Sequence, residues 1–409
     1  MGRIDARAFF ARSALEQPCD LYARMRELAP VCAIGDTGAY LVSTHAAIED
    51  AVARQDEFSA NLRRVLLSTG AEPPRLIPMQ LEEGGLDVIA TADDPAHSVH
   101  RRLMMPSLKA SRIAALEEEM RAFARERVDA LRRAGGGDFC AALGEPLPAW
   151  VVLRMLDLGD DALEAIRRWA MMGGDILAGR LDSARMSFLM HEAAEQFRYL
   201  AAHLDELRAR PAAQRGQSLS ATLAEGVDQE RVSREEAIGI LSILFSAAGE
   251  STAGLLGSAT RLLASDPALQ QRLRDEPSLI PRFVEEANRL ETPFKFHYRS
   301  VQRRTQLCGT ELVEGDVLLL CWAAANRDPQ RWDAPDALRL DRARPERHLG
   351  FGHGIHYCVG APLARLEVKV ALEELLAGTR ELRLDETTPP AHVPSIMVRR
   401  LAQLHLLVR

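Results

Sequence analysis

Residues Ser233 to Ser265 form the longest apolar-rich run at helical spacing in this 409-residue chain, and they set a dimension for any fold it adopts. Ser233-x-x-Glu236 is a capping box at its start, and Asp266-Pro267 stops it. At ~1.5 Å per residue the helix runs on the order of 50 Å, enough to cross a whole globular molecule. Its middle breaks the pattern. Ala247-Ala248-Gly249-Glu250-Ser251-Thr252 is small and polar where a purely structural helix is bulky and apolar, so something packs against this turn or reacts beside it. Glycine with hydroxyl residues can open the backbone ladder into a kink that holds water or a small ligand. A close helix crossing is the plain structural alternative.

A second stretch, Phe351-Gly352-His353-Gly354-Ile355-His356-Tyr357-Cys358-Val359-Gly360, sets one cysteine in a glycine-rich turn before an apolar-patterned helix. Gly352 and Gly354 allow backbone conformations closed to other residues, and Gly360 lets a helix N-terminus approach a flat ligand. Cys358 then sits where amide N–H groups stabilise a thiolate. His348, His353 and His356 lie close and raise zinc, but the C-x-x-C or H-x-x-x-H spacing of structural zinc is missing. A buried cysteine acting only as a small hydrophobe leaves the three glycines and His356 unexplained.

This run fits every fixed position of Phe-Gly-x-Gly-x-His-x-Cys-x-Gly and resembles the ligand loop of the cytochrome P450 family, in which a cysteine thiolate holds haem iron and favours O–O cleavage. The resemblance extends from about residue 20 to the C-terminus. The middle of the long helix resembles the family's oxygen-binding turn, Ala-Gly-x-Asp/Glu-Thr. Ala248, Gly249 and Thr252 match; Ser251 stands at the acid position, and Glu250 is displaced by one residue, or about 100° around the helix. The resemblance implies that Thr252 donates a hydrogen bond, with Ser251, Glu250 or water completing a proton relay. Gly249-Glu250-Ser251-Thr252-Ala253 also nearly matches the Gly-x-Ser-x-Gly elbow of α/β-hydrolases, but its helical context supplies neither the preceding strand nor an upstream oxyanion loop.

Glu286 and Arg289 share a helix face and resemble the family's structural Glu-x-x-Arg. Buried carboxylates need cationic or donor partners. His97 and Arg101, Arg299, and His356 resemble the residues that hold the two haem propionates. The implied cofactor-binding set is therefore His97, Arg101, Ala248, Gly249, Arg299, Phe351, His356, Cys358 and Gly360, with Cys358 as metal ligand.

The remaining sequence suits a large α-rich layered body. Residues 20–30 have helical spacing and stop at Pro30, and Val31 to Val42 is β-like around a Gly35-to-Gly38 turn. Helical periodicity fills residues 97–290, broken by expected loops at Gly135-Gly136-Gly137, Gly173-Gly174 and Pro211 to Gly216, and resumes at 360–378. Strand-like patterning occupies roughly 31–60, 294–325 and 385–409, so β pieces from opposite ends can pair. The resemblance implies one domain over 1–409, mainly α with a small β-rich subdomain.

Six scattered cysteines suit a reducing compartment. No signal-peptide run opens the chain and nothing is apolar throughout the ~20 residues of a membrane span, so a soluble cytoplasmic protein is expected. Net charge −7 argues against nucleic-acid binding. The resemblance implies haem b, dioxygen as co-substrate, and NAD(P)H used indirectly through a reductase and a ferredoxin or flavodoxin-like donor. Arg101, Arg102, Lys109, Arg344, Arg347, Arg365 and Lys369 flank the ligand segments and suggest a basic docking face. The implied activity is monooxygenation of a small organic substrate; oxidative coupling, peroxide-driven oxidation and a non-catalytic haem sensor are the alternatives. Substrate-pocket residues are expected from 60–92, the loop Trp169 to Leu181, the turn 247–252, residues 294–297 (Phe294, Lys295, Phe296 and His297), and Ile396 and Met397. On an extended stretch Phe294 and Phe296 share one side while Lys295 and His297 share the other.

Overall fold

The computed structural model describes residues 2–70, 72–79, 86–180 and 183–409. The long helix spans Arg234–Ala264 without interruption. Its capping box is formed: Ser233 Oγ accepts the Glu236 N–H at 3.0 Å, and the Glu236 carboxylate accepts the Ser233 N–H at 2.7 Å. At the far end Asp266 accepts the Leu269 N–H at 3.0 Å and Pro267 opens the next helix.

The two halves of this central helix lie in different cores. Ile238, Leu241 and Phe245 pack with Leu153, Trp169 and Leu200. Leu255, Leu256 and Leu263 pack with Phe283, Val368 and Leu372. Full burial of each such side chain stabilises by ~1.5–3 kcal/mol, so both ends are fixed and the polar turn 247–252 is held at the junction. Helices Pro146–Leu156, Leu163–Ala170, Ser183–Ala209, Ile280–Leu290 and Ala361–Gly378 surround it. The close-crossing alternative is realised at Gly249, where a Cβ would run into Ala170 of the helix Leu163–Ala170. The helix assignment is continuous through this turn, and Ser251 Oγ donates back to the Ala247 carbonyl at 2.5 Å.

The small β-rich part is a six-stranded sheet in the order Arg3–Ile4, Val31–Ile34, Ala39–Val42, Val317–Leu320, His297–Val301, Phe58–Ser59. Val317–Leu320 runs parallel to Ala39–Val42 and antiparallel to His297–Val301, with Leu320 opposite His297 and Leu318 opposite Arg299. Strand alternation therefore sends His297 and Arg299 to one face. Gly136, expected in a loop, lies in the strand Gly136–Asp138 beside His405–Val408. A Cβ there would strike the Leu406 carbonyl, so only glycine lets the two backbones close. Likewise Gly173 and Gly174 open a helical turn, Gly173–Ile176. Among the described residues one helix, Arg234–Ala264, is long and apolar enough to cross a membrane, and 61% of its most apolar window is buried inside the protein.

Candidate active site

Ala247, Ala248, Ser251, Thr252 and Leu255 from the central helix line the same cavity as Phe351, Cys358 and Gly360. The cysteine loop is closed by its own backbone: Cys358 N–H donates to the Phe351 carbonyl at 2.9 Å and Tyr357 N–H to Gly354 at 3.0 Å. Gly352 and Gly354 take φ of +74° and +72°, which L side chains rarely adopt, and the bare Cα of Gly354 makes room for Val52. Cys358 is open to the cavity rather than packed. Burial pushes its thiol up, while the N–H of Gly360, the charge of Arg365 and the N–H of Ala361 pull it down. As an iron ligand Cys358 would be held as the thiolate, since a coordinating thiol is deprotonated outright.

One end of the cavity gathers nitrogen donors. The rings of His97 and His356 lie 4.2 Å apart, and Arg299 is buried on the same wall. Burial holds His356 down at about 3 and Arg299 at about 10, with neighbouring cations adding to the His356 shift. His97 Nδ1 is buried and faces Asp94 Oδ1 at 3.7 Å, beyond hydrogen-bond distance, which leaves the opposite ring nitrogen as the one for a ligand. Arg101 ties this end to the cysteine loop by donating to the carbonyls of Ile355 at 3.1 Å and Tyr357 at 2.8 Å. Cations and imidazoles crowded on one buried wall are a site for a buried dianion.

Behind the loop, Glu285 is gripped by Arg365 at 2.6 and 2.9 Å and by His348 Nε2 at 3.1 Å. Although burial opposes ionisation, these two partners hold the Glu285 carboxyl down at about 2. Arg365 also stacks on Phe351, 4.4 Å from the ring centroid. His348 is thus fully committed, with its Nδ1 accepting the Gly350 N–H, and is not poised for zinc.

The profile described as Cytochrome P450 matches residues 184–392. Cytochrome P450 144 of Mycobacterium tuberculosis is 37% identical over 99% of this chain and 92% of its own length. The chain belongs to the cytochrome P450 family. It is also similar to the Mycinamicin IV hydroxylase/epoxidase of Micromonospora griseorubida, 34% identical over 76% of each chain. Among solved structures, Cytochrome P450 CYP109Q5 from Chondromyces apiculatus superposes with a TM-score of 0.84 at 27% identity, covering 100% of this chain and 98% of that one. As a P450 the protein is a monooxygenase that uses haem and dioxygen, and the donor set fits haem: one cysteine open to the cavity, and a basic end of His97, Arg101, Arg299 and His356 for the carboxylates.

Three expectations are corrected by packing. Glu250 does not line the cavity; it is buried on another face of the helix, accepting the Gly174 N–H at 2.6 Å and facing Arg400 Nε at 3.3 Å. Gly249 contacts Ala170 rather than cofactor space. Of the proposed pocket residues Ala247, Ala248, Ser251, Thr252, Phe294 and His297 reach the cavity, whereas Phe296, Ile396 and Met397 join the core beneath the sheet and no described residue of the Trp169 loop lines it. Lys295 is buried and donates to the Ser395 carbonyl at 2.6 Å. The regular alternation fails because residues 293–296 precede the strand, so Phe294 and His297 turn the same way, rings 5.6 Å apart. Ile89 and Ala90 represent segment 60–92 in the cavity; residues 80–85 and Leu181 lie outside the described residues.

Other residues escaped the sequence reading. Ile243 and Leu244 line the cavity one turn before the polar turn, and helical spacing alone pointed to them. Arg342 joins Glu286 at 2.9 Å, making a buried triad with Arg289, whose Nε lies 2.8 Å from the carboxylate. No local spacing signals a partner so far along the chain. The cavity does hold one carboxyl, Glu367, pushed well above the usual range by burial and with Oε2 unpartnered among the described residues.

Proposed function

We propose that this P450 inserts one oxygen atom of dioxygen into a small, largely apolar organic substrate, with electrons delivered by a separate ferredoxin or flavodoxin-like protein and drawn ultimately from NAD(P)H. The observation that carries this reading is the shared cavity: Cys358 and Thr252 line one space whose other walls include Ile89, Ile243, Leu244 and Phe294. Bound haem would supply oxygen activation on the thiolate. Cys358 would hold the iron, and His97, Arg101, Arg299 and His356 the carboxylates. The chain's own contribution at the reacting end is a hydroxyl. Thr252 presents it to the cavity, while the Ser251 hydroxyl is occupied by the Ala247 carbonyl. Apolar walls orient the substrate by shape and exclude water.

The electron donor's landing site is narrower than the charge pattern implied. Arg365 is consumed by Glu285, Lys369 sits 3.7 Å from both Glu117 and Glu373, and Arg344 pairs with Glu346 at 2.8 Å. Arg102, Lys109 and Arg347 are exposed without an ion pair among the described residues, and they are the proposed contacts.

A second reading, peroxide-driven oxidation or oxidative coupling, is favoured by one observation: the acid position is Ser251 and the neighbouring Glu250 is turned away. The test is substrate turnover by purified protein with NADH, a surrogate ferredoxin and its reductase, against turnover with hydrogen peroxide alone. Oxygenated product in step with NADH supports the monooxygenase; product with peroxide only supports the second reading.

A further inference from the structure

His297 sits at the start of the strand His297–Val301, two residues before Arg299 and on the same face. The sequence placed it only among the pocket-lining residues 294–297, with no cofactor role. It lines the cavity at the basic end, and its ring is held between Phe294, 5.6 Å away, and Trp322, 5.9 Å away. One contact decides its chemistry. Trp322 Nε1 lies 2.7 Å from His297 Nδ1. An indole N–H only donates, so Nδ1 must be the acceptor, and a neutral imidazole that accepts at Nδ1 carries its proton on Nε2. Burial beside the Arg299 charge holds His297 down at about 4, in keeping with this neutral form.

The environment leaves that N–H one kind of partner. His297, His97, Arg101 and Arg299 all bear electrostatically on His356; the nearby carboxylates, Asp93 held by Ser59 and the Ala60 N–H and Asp94 held by Ser98, do not line the cavity, so the groups facing it at this end are donors or cations. The two arginines already match two carboxylates in charge; a neutral N–H adds a bond without adding a third buried charge. We propose that His297 is a further haem-binding residue of this P450, donating its Nε2–H to a propionate, and that Trp322 is the positioning residue that locks the tautomer. The inference rests on haem occupying the cavity.

The test is haem transfer from the loaded protein to excess apomyoglobin, followed together with the reduction potential, for wild type, His297→Phe, His297→Gln and Trp322→Phe. Losing a buried hydrogen bond to a charged group predicts transfer roughly ten- to a hundredfold faster in His297→Phe. The potential falls as well, because the carboxylate charge is less compensated. His297→Gln, which keeps a side-chain N–H, restores most of both, and Trp322→Phe lies between, because either tautomer then becomes available. Wild-type transfer and potential in His297→Phe overturn the proposal. So does a Gln variant as leaky as Phe, which assigns the effect to ring packing, and so does a change confined to substrate-induced spectra, which moves His297 to the substrate. A wild-type protein that takes up no haem overturns the whole site and is recognised by its missing Soret band.

Discussion

Glu250 accepts the backbone N–H of Gly174 at 2.6 Å, binding the central helix to the turn that follows the helix Leu163–Ala170. A Cβ on Gly174 would strike this carboxylate, so the pair is fitted backbone to side chain. Arg400 stands 3.3 Å away but also serves Glu145 at 3.0 Å, and desolvation prevails: the Glu250 carboxyl is pushed up to about 7. From the ordinary 4.5 to that value the folded chain holds the proton more tightly than the unfolded one. The attached stability is full below 4.5 and is lost as pH rises through 7. Glu250→Gln cannot ionise, so its melting temperature should gain on wild type from about pH 5 to about pH 8. A difference that stays flat across this range rejects the raised carboxyl.

Glu286→Ala should be far more damaging than its place outside the cavity suggests. It leaves the buried guanidiniums of Arg289 and Arg342 facing each other without the carboxylate between them. Breaking a buried ion pair in this way costs about 3–5 kcal/mol. Arg342→Ala, which leaves Glu286 paired with Arg289, should cost less. The check is the urea midpoint of the two variants against wild type; equal midpoints in the two variants would mean that losing Arg342 costs as much as losing the carboxylate it shares.

Lys295→Met reverses a sequence expectation. Burial holds this ammonium down at about 7 from the ordinary 10.5, and among the described residues its hydrogen-bond acceptor is the Ser395 carbonyl. Over that span the unfolded chain binds the extra proton, so wild-type stability rises as pH climbs from 7 towards 10.5. The methionine variant should lack this rise and should bind substrates with wild-type affinity. A large affinity loss for carboxylate-bearing ligands would return Lys295 to the pocket.

Cavity hydroxyls should separate by function. Thr252→Ala should lower product formed per NADH on the order of a hundredfold, the lower end of what a lost proton-transfer group costs. Ser251→Ala should change it little, since that hydroxyl is spent on Ala247. Product and hydrogen peroxide measured together decide between them.

Glu367→Gln should leave the melting temperature nearly unchanged near neutral pH. Its carboxyl, raised far above the usual range by burial, is already neutral and has the same shape as the amide. A strong stabilisation by Gln would mean the carboxyl is ionised after all.

Much of the fold was legible because its signals are local. The Ser233 capping box, the apolar spacing that follows, and the Gly35-to-Gly38 turn each act within a few residues, and each appears where the spacing places it. The cysteine loop was legible for the same reason: its glycines and Cys358 fix a turn whose hydrogen bonds run from Phe351 to Gly360. The triad was half legible, since Glu286 and Arg289 are one helical turn apart while Arg342 arrives from a distant loop.

By itself the sequence determined the helical body, the loop that offers Cys358, and the family to which these belong, because periodicity and turn chemistry are written in neighbouring residues. The tertiary structure alone decided the direction of each polar side chain. Glu250 was one residue from the acid position, yet about 100° of helical rotation carried it to Gly174 and Arg400 instead of the cavity. Phe294 and His297 came to share a wall because the chain enters its strand irregularly, and His297 acquired a fixed tautomer from a tryptophan 25 residues away. Which face a side chain meets depends on the elements packed against it, and those are chosen by the whole chain burying its apolar surface together.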